Sequence, residues 1–207
     1  MIFVSYILLG LSLAAPIGPI NAAQLDKGIK HGFVHSWFVG LGAMIADGIF
    51  MLLIFFGVVH FLEIPFMQTF LWLFGFFVLV YTGIESIAKT GQITNTSDRN
   101  AESVWKSFFS GFFISLFNPL SILFWLGIYG SVLSTTAKTY GTEQLLLFSG
   151  AIFIGIFIWD ITMASISSIF RKYFAEKFLR YISIFSGLFL IGFGIYFGIQ
   201  AFQALFG

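Results

Sequence analysis

The sequence of 207 residues is too apolar for a water-soluble domain, because 58% of its residues are hydrophobic and 9% are charged, whereas soluble domains carry about 25% charged residues. Its net charge of +1 and its lack of a dense basic run give no reason to expect a nucleic-acid partner. The absence of cysteine excludes disulfides, thiolate metal ligands and thiol-relay chemistry. The composition therefore predicts an integral membrane protein.

Six segments are long and apolar enough to span a bilayer, which takes about 20 residues. In chain order they cover residues 3–25, 36–60, 66–88, 107–134, 143–170 and 181–206. The apolar start carries no basic n-region, so we expect no cleavable signal peptide. The connections are short except for a polar stretch at about 89–106. We therefore predict an all-α integral membrane fold that forms one domain over residues 1–207.

The first predicted helix contains two prolines, Pro16 and Pro19, and cannot be regular through both. Each proline lacks an N–H and clashes with the carbonyl four residues earlier, which leaves backbone carbonyls free. In hydrocarbon, free backbone groups are tolerated only against protein or a water-filled cavity. With Gly18 and Asn21 beside the prolines, this break is a candidate binding site. A packing kink is the alternative.

The second and fifth predicted helices each contain one carboxylate, Asp47 and Asp160. An ionised carboxylate at mid-membrane costs about 2.5–3.5 kcal/mol on insertion scales and usually faces the interior of the bundle. Counted from the predicted helix ends, both lie roughly 15 Å deep in a core of roughly 30 Å. We expect them to share one cavity and to bind a substrate or ion. Structural aspartates that bond a neighbouring helix are the alternative.

The fourth predicted helix repeats the break of the first, at Asn118 and Pro119. Pro119 follows Pro16 by 103 residues and Asp160 follows Asp47 by 113, so the two halves resemble each other. Three helices per half is an odd number, so the second half must enter the membrane from the opposite side. The pattern predicts a 3+3 inverted repeat with broken helices one and four. In secondary transporters of this plan, the binding site lies at the broken helices.

The basic residues indicate an orientation, because nine of the ten lie in connections after helices one, three and five. Only Lys138 lies on the opposite side. Lysine and arginine accumulate on the cytoplasmic side, so we expect both termini to be extracytoplasmic. The first cytoplasmic loop would then contain Lys27 and Lys30. We expect His31 and His35, in or beside this loop, to be solvated interface residues.

Several of these motifs resemble the lysine exporter family of amino-acid efflux proteins. The stretch Pro16-Ile17-Gly18-Pro19 with Asn21 is similar to its Pro-x-Gly-Pro signature, and Asn118-Pro119 is similar to its Asn-Pro motif in helix four. Asp47 matches its glycine- and aspartate-containing segment in helix two. The resemblance covers essentially the whole chain. It implies export of amino acids or similar small solutes from the bacterial cytoplasm, coupled to an ion gradient.

The predicted function is therefore a secondary active exporter in the bacterial inner membrane, coupled to protons or another ion, and not an enzyme. We expect no cofactor, no resident metal and no catalytic residue. A carrier or channel for a divalent metal cation and a structural membrane subunit are the alternatives. A homo-oligomer is left open, because small residues on helix six could pack within or between subunits: Ser183, Gly187, Gly194 and Gly198. The candidate substrate- or ion-binding residues are Pro16, Gly18, Pro19, Asn21, Asp47, Asn118, Pro119 and Asp160.

Overall fold

The computed structural model of the chain describes residues 2–16, 18–56, 65–88, 102–118, 142–173 and 176–206, together with residues 121, 122, 125, 129 and 136. Every regular element in these residues is an α-helix, as predicted. The helices are α1 (Ile2–Ala14), α2 (Pro19–His31), α3 (Phe33–Phe55), α4 (Pro65–Ala88), α5 (Val104–Leu116), α6 (Thr142–Tyr173) and α7 (Glu176–Phe206).

Four of these helices, α3, α4, α6 and α7, are long and apolar enough to cross a membrane. The pair α1 and α2 meets the same test as one span, bent by 77° between its two parts. Helix α5 is a shorter apolar helix, and most of the predicted fourth span beyond it lies outside the described residues. Of the six predicted spans, the described residues therefore contain four as single helices, one as the bent pair α1 and α2, and part of another as α5.

The break between α1 and α2 lies where the prolines predict it. Helix α1 ends at Ala14, and α2 begins with Pro19 in its first turn after the extended residue Gly18. Proline suits this position, because the first N–H groups of a helix have no partner within the helix. Helix α2 then ends at His31 and is followed by Gly32, whose positive φ of 93° favours glycine and turns the chain into α3.

Helix α2 is longer than predicted, and this overturns one expectation. The first span was expected to end near residue 25, with Lys27 and Lys30 in a loop. Both lysines instead lie inside α2, and each is 5% exposed. The apolar run ends near residue 25 because the last two turns of α2 contain charged residues, which form buried ion pairs.

The helices approach each other through pairs of glycines, in the manner common between membrane helices. A Cβ added to either member of a pair would clash with backbone of the opposite helix: Gly10 with Gly155 between α1 and α6, Gly42 with Gly111 between α3 and α5, and Gly83 with Gly187 between α4 and α7. Gly194 and Gly198 also lie against α4, at Val80 and Phe76. The small residues of the last helix therefore pack within the chain.

Candidate functional site

A cavity of about 280 Å³ lies between the α1–α2 break, α3, the end of α5 and α6. It collects predicted site residues from both breaks and both acidic helices: Pro16, Gly18, Pro19, Asn21, Asp47, Asn118 and Asp160. Pro119, the remaining candidate, lies outside the described residues. Residues separated by more than 140 positions in the chain therefore line one space.

Asn21 holds the break together. Its side-chain amide donates to the backbone carbonyls of Ala14, at 3.1 Å, and Pro16, at 2.8 Å. Its Oδ1 accepts a hydrogen bond from Nε1 of Trp159 at 3.0 Å. One side chain on α2 thus supplies two carbonyls at the end of α1 with a donor and links the break to α6. Both amide hydrogens are used in this way.

The second break is built on the same backbone pattern. The carbonyl of Gly18 accepts from the N–H of Ala22 at 3.0 Å, and the carbonyl of Asn118 accepts from the N–H of Ile122 at 3.3 Å. Gly18 and Asn118 are each followed by proline in the sequence. Asn118 is buried, and both it and Gly18 line the cavity.

Asp47 lies on α3 and is partly buried against the second break. Its Oδ1 accepts from the hydroxyl of Ser115 at 3.0 Å and from Nε1 of Trp125 at 2.9 Å. Both donors are neutral, and no lysine, arginine or histidine lines the cavity within the described residues. The negative charge of an ionised Asp47 would therefore be available to a cationic group of a bound solute.

Asp160 lies on α6 and is more deeply buried, with 4% of its surface exposed. Its Oδ1 accepts from Nε2 of Gln24 at 3.0 Å. In the described part of the chain, neither Oδ2 of Asp160 nor Oε1 of Gln24 has a hydrogen-bond partner. Gly40 of α3 packs directly on this pair, since a Cβ there would lie 2.4 Å from Nε2 of Gln24 and 2.5 Å from Cγ of Asp160.

Sequence reasoning missed Gln24, Trp125 and Trp159. Gln24 follows Asn21 by three residues and so occupies the same face of α2, which is a signal that could have found it. The indoles gave no signal, because a tryptophan in an apolar segment is expected at the membrane interface. Apart from Ser121, the remaining cavity walls are apolar, from Leu13, Ala43, Met44, Ile156 and Phe193 among others. A few polar groups between apolar walls are typical of small-molecule sites.

Beyond the cavity, the last turns of α2 enter a buried ionic cluster around Glu102. This carboxylate pairs with Lys27 and lies 3.0 Å from Nε2 of His31, while its backbone carbonyl lies 2.9 Å from Nε2 of His35. The expectation that both histidines are solvated is wrong, because His35 is 8% exposed and the His31 side chain 7%. Burial raises the pKa of Glu102, but the hydrogen bond from His31 and the charge of Lys27 outweigh it and hold this pKa well below its usual range.

A second part of the cluster ties α2 to α4 and α7. Lys30 pairs with Asp26 at 2.7 Å and donates to the backbone carbonyl of Ser86. Ser183 donates to Asp26, and its carbonyl accepts from the hydroxyl of Ser86 at 3.2 Å. All four side chains are buried. The stretch around Lys27 and Lys30, which was predicted to be a basic loop, therefore forms buried polar contacts that connect α2 with α4 and α7.

Comparison with known proteins places the chain in a family. Residues 11–201 match the LysE type translocator family. The chain is 58% identical over 207 residues to the "Putative amino acid efflux protein YcgF" of Bacillus subtilis, covering 100% of this chain and 99% of that protein. It is 26% identical over 147 residues to the leucine efflux protein of Klebsiella pneumoniae, covering 70% and 69%.

A third relative is the chemotactic transduction protein ChpE of Pseudomonas aeruginosa, which is 25% identical over 172 residues, or 83% of this chain and 84% of that protein. No solved structure matches. The family match covers most of the chain, and the apolar helices agree with it. The chain therefore belongs to the LysE type translocator family and is a multi-pass membrane transporter, not an enzyme.

Proposed function

We propose that this chain is a secondary active exporter of amino acids in the bacterial inner membrane, coupled to the proton gradient, and that the cavity at the helix breaks is its binding site. One observation carries the proposal: residues from both breaks and both acidic helices line a single cavity. The names of two relatives, an amino acid efflux protein and a leucine efflux protein, support the substrate class.

The charges around the cavity suit a zwitterion. Two carboxylates and no basic side chain line it within the described residues, so the ammonium group of the substrate would lie near Asp47. The substrate carboxylate would face the first turn of α2, where the N–H groups of Ile20 and Asn21 lie at the positive end of the helix dipole. No side chain caps this end of α2. The apolar walls would accommodate the substrate side chain.

The helix pairing supports a 3+3 inverted repeat within a single domain. In such a repeat, the span formed by α1 and α2 corresponds to α5, α3 corresponds to α6, and α4 corresponds to α7. The contact between α1 and α6 then corresponds to the contact between α5 and α3, and the contact between α4 and α7 corresponds to itself. The glycines at the first two contacts follow the same offsets: Gly111 lies 101 residues after Gly10, and Gly155 lies 113 after Gly42. These offsets are close to those between the prolines and the carboxylates of the two halves, 103 and 113.

Transport by purified protein in liposomes tests the proposal. Proteoliposomes loaded with a panel of radiolabelled amino acids should release at least one of them faster than empty liposomes, and an imposed pH gradient should change the rate. Cells that express the protein should hold a smaller internal pool of the same amino acid. If no amino acid moves but a divalent cation does, the metal-carrier alternative replaces the proposal.

The same residues argue against that alternative. Hard divalent cations take six or more oxygen ligands, often from several carboxylates. Within the described residues, no group of three or more His, Asp or Glu side chains could hold a metal ion. Asp47 and Asp160 also accept from separate neutral donors on different helices. An amino acid requires one ammonium contact and apolar walls, which this cavity offers.

A further inference from the structure

We propose that Asp160 and Gln24 form the proton-binding site of this transporter, in which the Asp160 carboxyl group carries the proton on Oδ2 and donates it to Oε1 of Gln24. Nε2 of Gln24 donates in the opposite direction, to Oδ1 of Asp160, at 3.0 Å. The acid and the amide would then be joined by two antiparallel hydrogen bonds. The inference rests on the proposed function for the claim that transport is coupled to protons.

A negative charge on Asp160 would lack compensation from its surroundings among the described residues. Gln24 is 0% exposed and Asp160 is 4% exposed. A buried carboxylate is stable when it is paired or receives several hydrogen bonds. Asp160 receives one bond, from a neutral amide, and no cation accompanies it in the described part of the chain. Asp47 contrasts with it, because Asp47 is less buried and accepts from two donors.

Two acceptor atoms without a hydrogen-bond partner among the described residues occur on the same pair of side chains. Oδ2 of Asp160 and Oε1 of Gln24 are the two atoms of the pair that lack a partner among the described residues. Buried polar atoms are rarely left without a partner. One proton on Oδ2 turns one acceptor into a donor and satisfies both atoms.

A metal ion fits the same atoms poorly. Two free oxygens are too few for a hard cation, which takes about six oxygen ligands. The neighbouring position on α3 is Gly40, which has no side chain to contribute and leaves no space for one. The described residues also hold no acidic or histidine cluster around the pair. A proton needs one acceptor and one donor position, and the pair offers both.

Among the described charged groups around α6, one acts on this pair. Asp47 on α3 is the charged group that acts on Asp160 electrostatically, and two carboxylates in one cavity disfavour each other's ionisation. The charged side chains of α6 itself lie in its first and last turns. Among the described side chains, the remaining titratable groups on the helices packed against α6 are Tyr6 on α1; Asp26, Lys27, Lys30 and His31 in the ionic cluster of α2; His35 on α3; and the exposed Lys177, Arg180, Tyr181 and Tyr196 on α7.

The position of Gln24 gives protonation a mechanical consequence. Gln24 belongs to α2, which begins at the break, and Asp160 belongs to α6. When the proton leaves for cavity water, the electron pair of the O–H bond stays on Asp160 and Gln24 loses its donor. The Gln24–Asp160 connection between α2 and α6 then keeps one of its two hydrogen bonds. Asp47 remains available for the substrate, so substrate and proton use different carboxylates.

Infrared difference spectroscopy tests the assignment on the full-length protein in lipid nanodiscs. Wild-type protein near neutral pH should show the C=O stretching band of a protonated carboxylic acid. This band should be absent from Asp160→Asn and present in Asp47→Asn. Gln24→Leu should move it to higher frequency, because the acid loses both hydrogen bonds. If Gln24→Leu does not fold, Gln24→Asn, shorter by one methylene, should produce the same shift.

Three results would overturn the inference. One is an Asp160→Asn spectrum with every carboxylic-acid band of the wild type, which would mean that Asp160 is ionised. Another is an unmoved band in the Gln24 variants. The third is loss of the band when Na⁺ replaces K⁺ at constant pH, which would identify a sodium site. The spectra need no substrate, so wild type with the band but without amino-acid transport would refute the proposed function alone.

Discussion

Asp47 and Asp160 are both single carboxylates in apolar helices, yet their surroundings differ. Asp47 accepts from Ser115 and Trp125 through Oδ1. Asp160 has one donor, Gln24, and a glycine of α3 packed against it. Their positions were predictable from the cost of a carboxylate in hydrocarbon. Their separate partners were not, because a neutral serine, tryptophan and glutamine in or beside apolar segments give no charge signal.

Asp47→Asn should fold normally and lose export. The Oδ1 of an asparagine can still accept from Ser115 and Trp125, so the contacts between α3 and the second break remain while the charge is removed. We expect the rate of amino-acid release from proteoliposomes to fall by about tenfold or more, as for loss of one charged substrate contact. The matched control is Glu143→Gln, an exposed acidic residue in the first turn of α6, which should export normally. Full export by Asp47→Asn would make this aspartate structural.

Gly40→Ala should separate Gln24 from Asp160. The added Cβ would lie 2.4 Å from Nε2 of Gln24 and 2.5 Å from Cγ of Asp160, so one of the two side chains must move. We expect a lower melting temperature and a loss of export, in line with about 1–3 kcal/mol for overpacking a tight site. Gly150→Ala is the control, because Gly150 is exposed on α6 with nothing within 4 Å of the added carbon. A normal melting temperature for Gly40→Ala would show that the pair tolerates displacement.

Among the elements, the broken first span depends most on a single side chain. Prolines predict where α1 must end, and Pro19 suits the first turn of α2. They do not predict that Asn21 of α2 turns back to the carbonyls of Ala14 and Pro16. A break in a membrane helix is stable only if its free backbone carbonyls find hydrogen-bond donors. The broken span therefore requires the asparagine as well as the prolines.

Asn21→Leu should therefore destabilise the protein without changing its net charge. It would leave the carbonyls of Ala14 and Pro16 without their donor and Nε1 of Trp159 without its acceptor. Each buried polar group left unpaired costs about 1–3 kcal/mol. We expect a clear decrease in melting temperature in detergent. The control is Thr162→Val on the exposed face of α6, where the hydroxyl bonds its own helix at the Ile158 carbonyl. An equal melting temperature in the two variants would refute this role of Asn21.

The cluster at the end of α2 should make stability fall in acid. The pKa of Glu102 is lower in the folded protein than in the unfolded chain, because His31 and Lys27 outweigh the effect of burial. Its stabilisation is complete above the unfolded value of about 4.3 and is lost as pH falls toward the lower folded value. Melting temperatures measured from pH 7 to pH 3 should decline for the wild type and change less for Glu102→Gln. Parallel curves for both proteins would contradict this account.

At the scale of the whole molecule, many large apolar side chains are exposed and several charged side chains are buried, which is the reverse of a soluble protein. The outer face of α4 exposes a stripe of apolar side chains at helical spacing: Phe66, Phe70, Phe74, Phe77, Tyr81 and Ile84. The charged groups of α2 lie inside, and Asp47 and Asp160 line the internal cavity. The sequence predicts which segments meet lipid, since composition and length suffice. It does not predict the partner of each helix, because a glycine marks a close contact without identifying the opposite surface.

Orientation is the prediction on which the direction of transport depends. Nine of ten Lys and Arg residues lie on one side of the predicted topology, and two of them, Lys27 and Lys30, are bound in ion pairs at the end of α2. The remaining basic residues of that side still outnumber Lys138 on the opposite side, so the basic bias favours a cytoplasmic placement of the end of α2. Fusions of alkaline phosphatase, which is active outside the cytoplasm, should be active at Gly207. Fusions within residues 94–103 should be inactive. A fluorescent reporter that folds only in the cytoplasm should give the reverse pattern. A cytoplasmic C-terminus would contradict the orientation and would place the end of α2, with its ionic cluster, on the extracytoplasmic side.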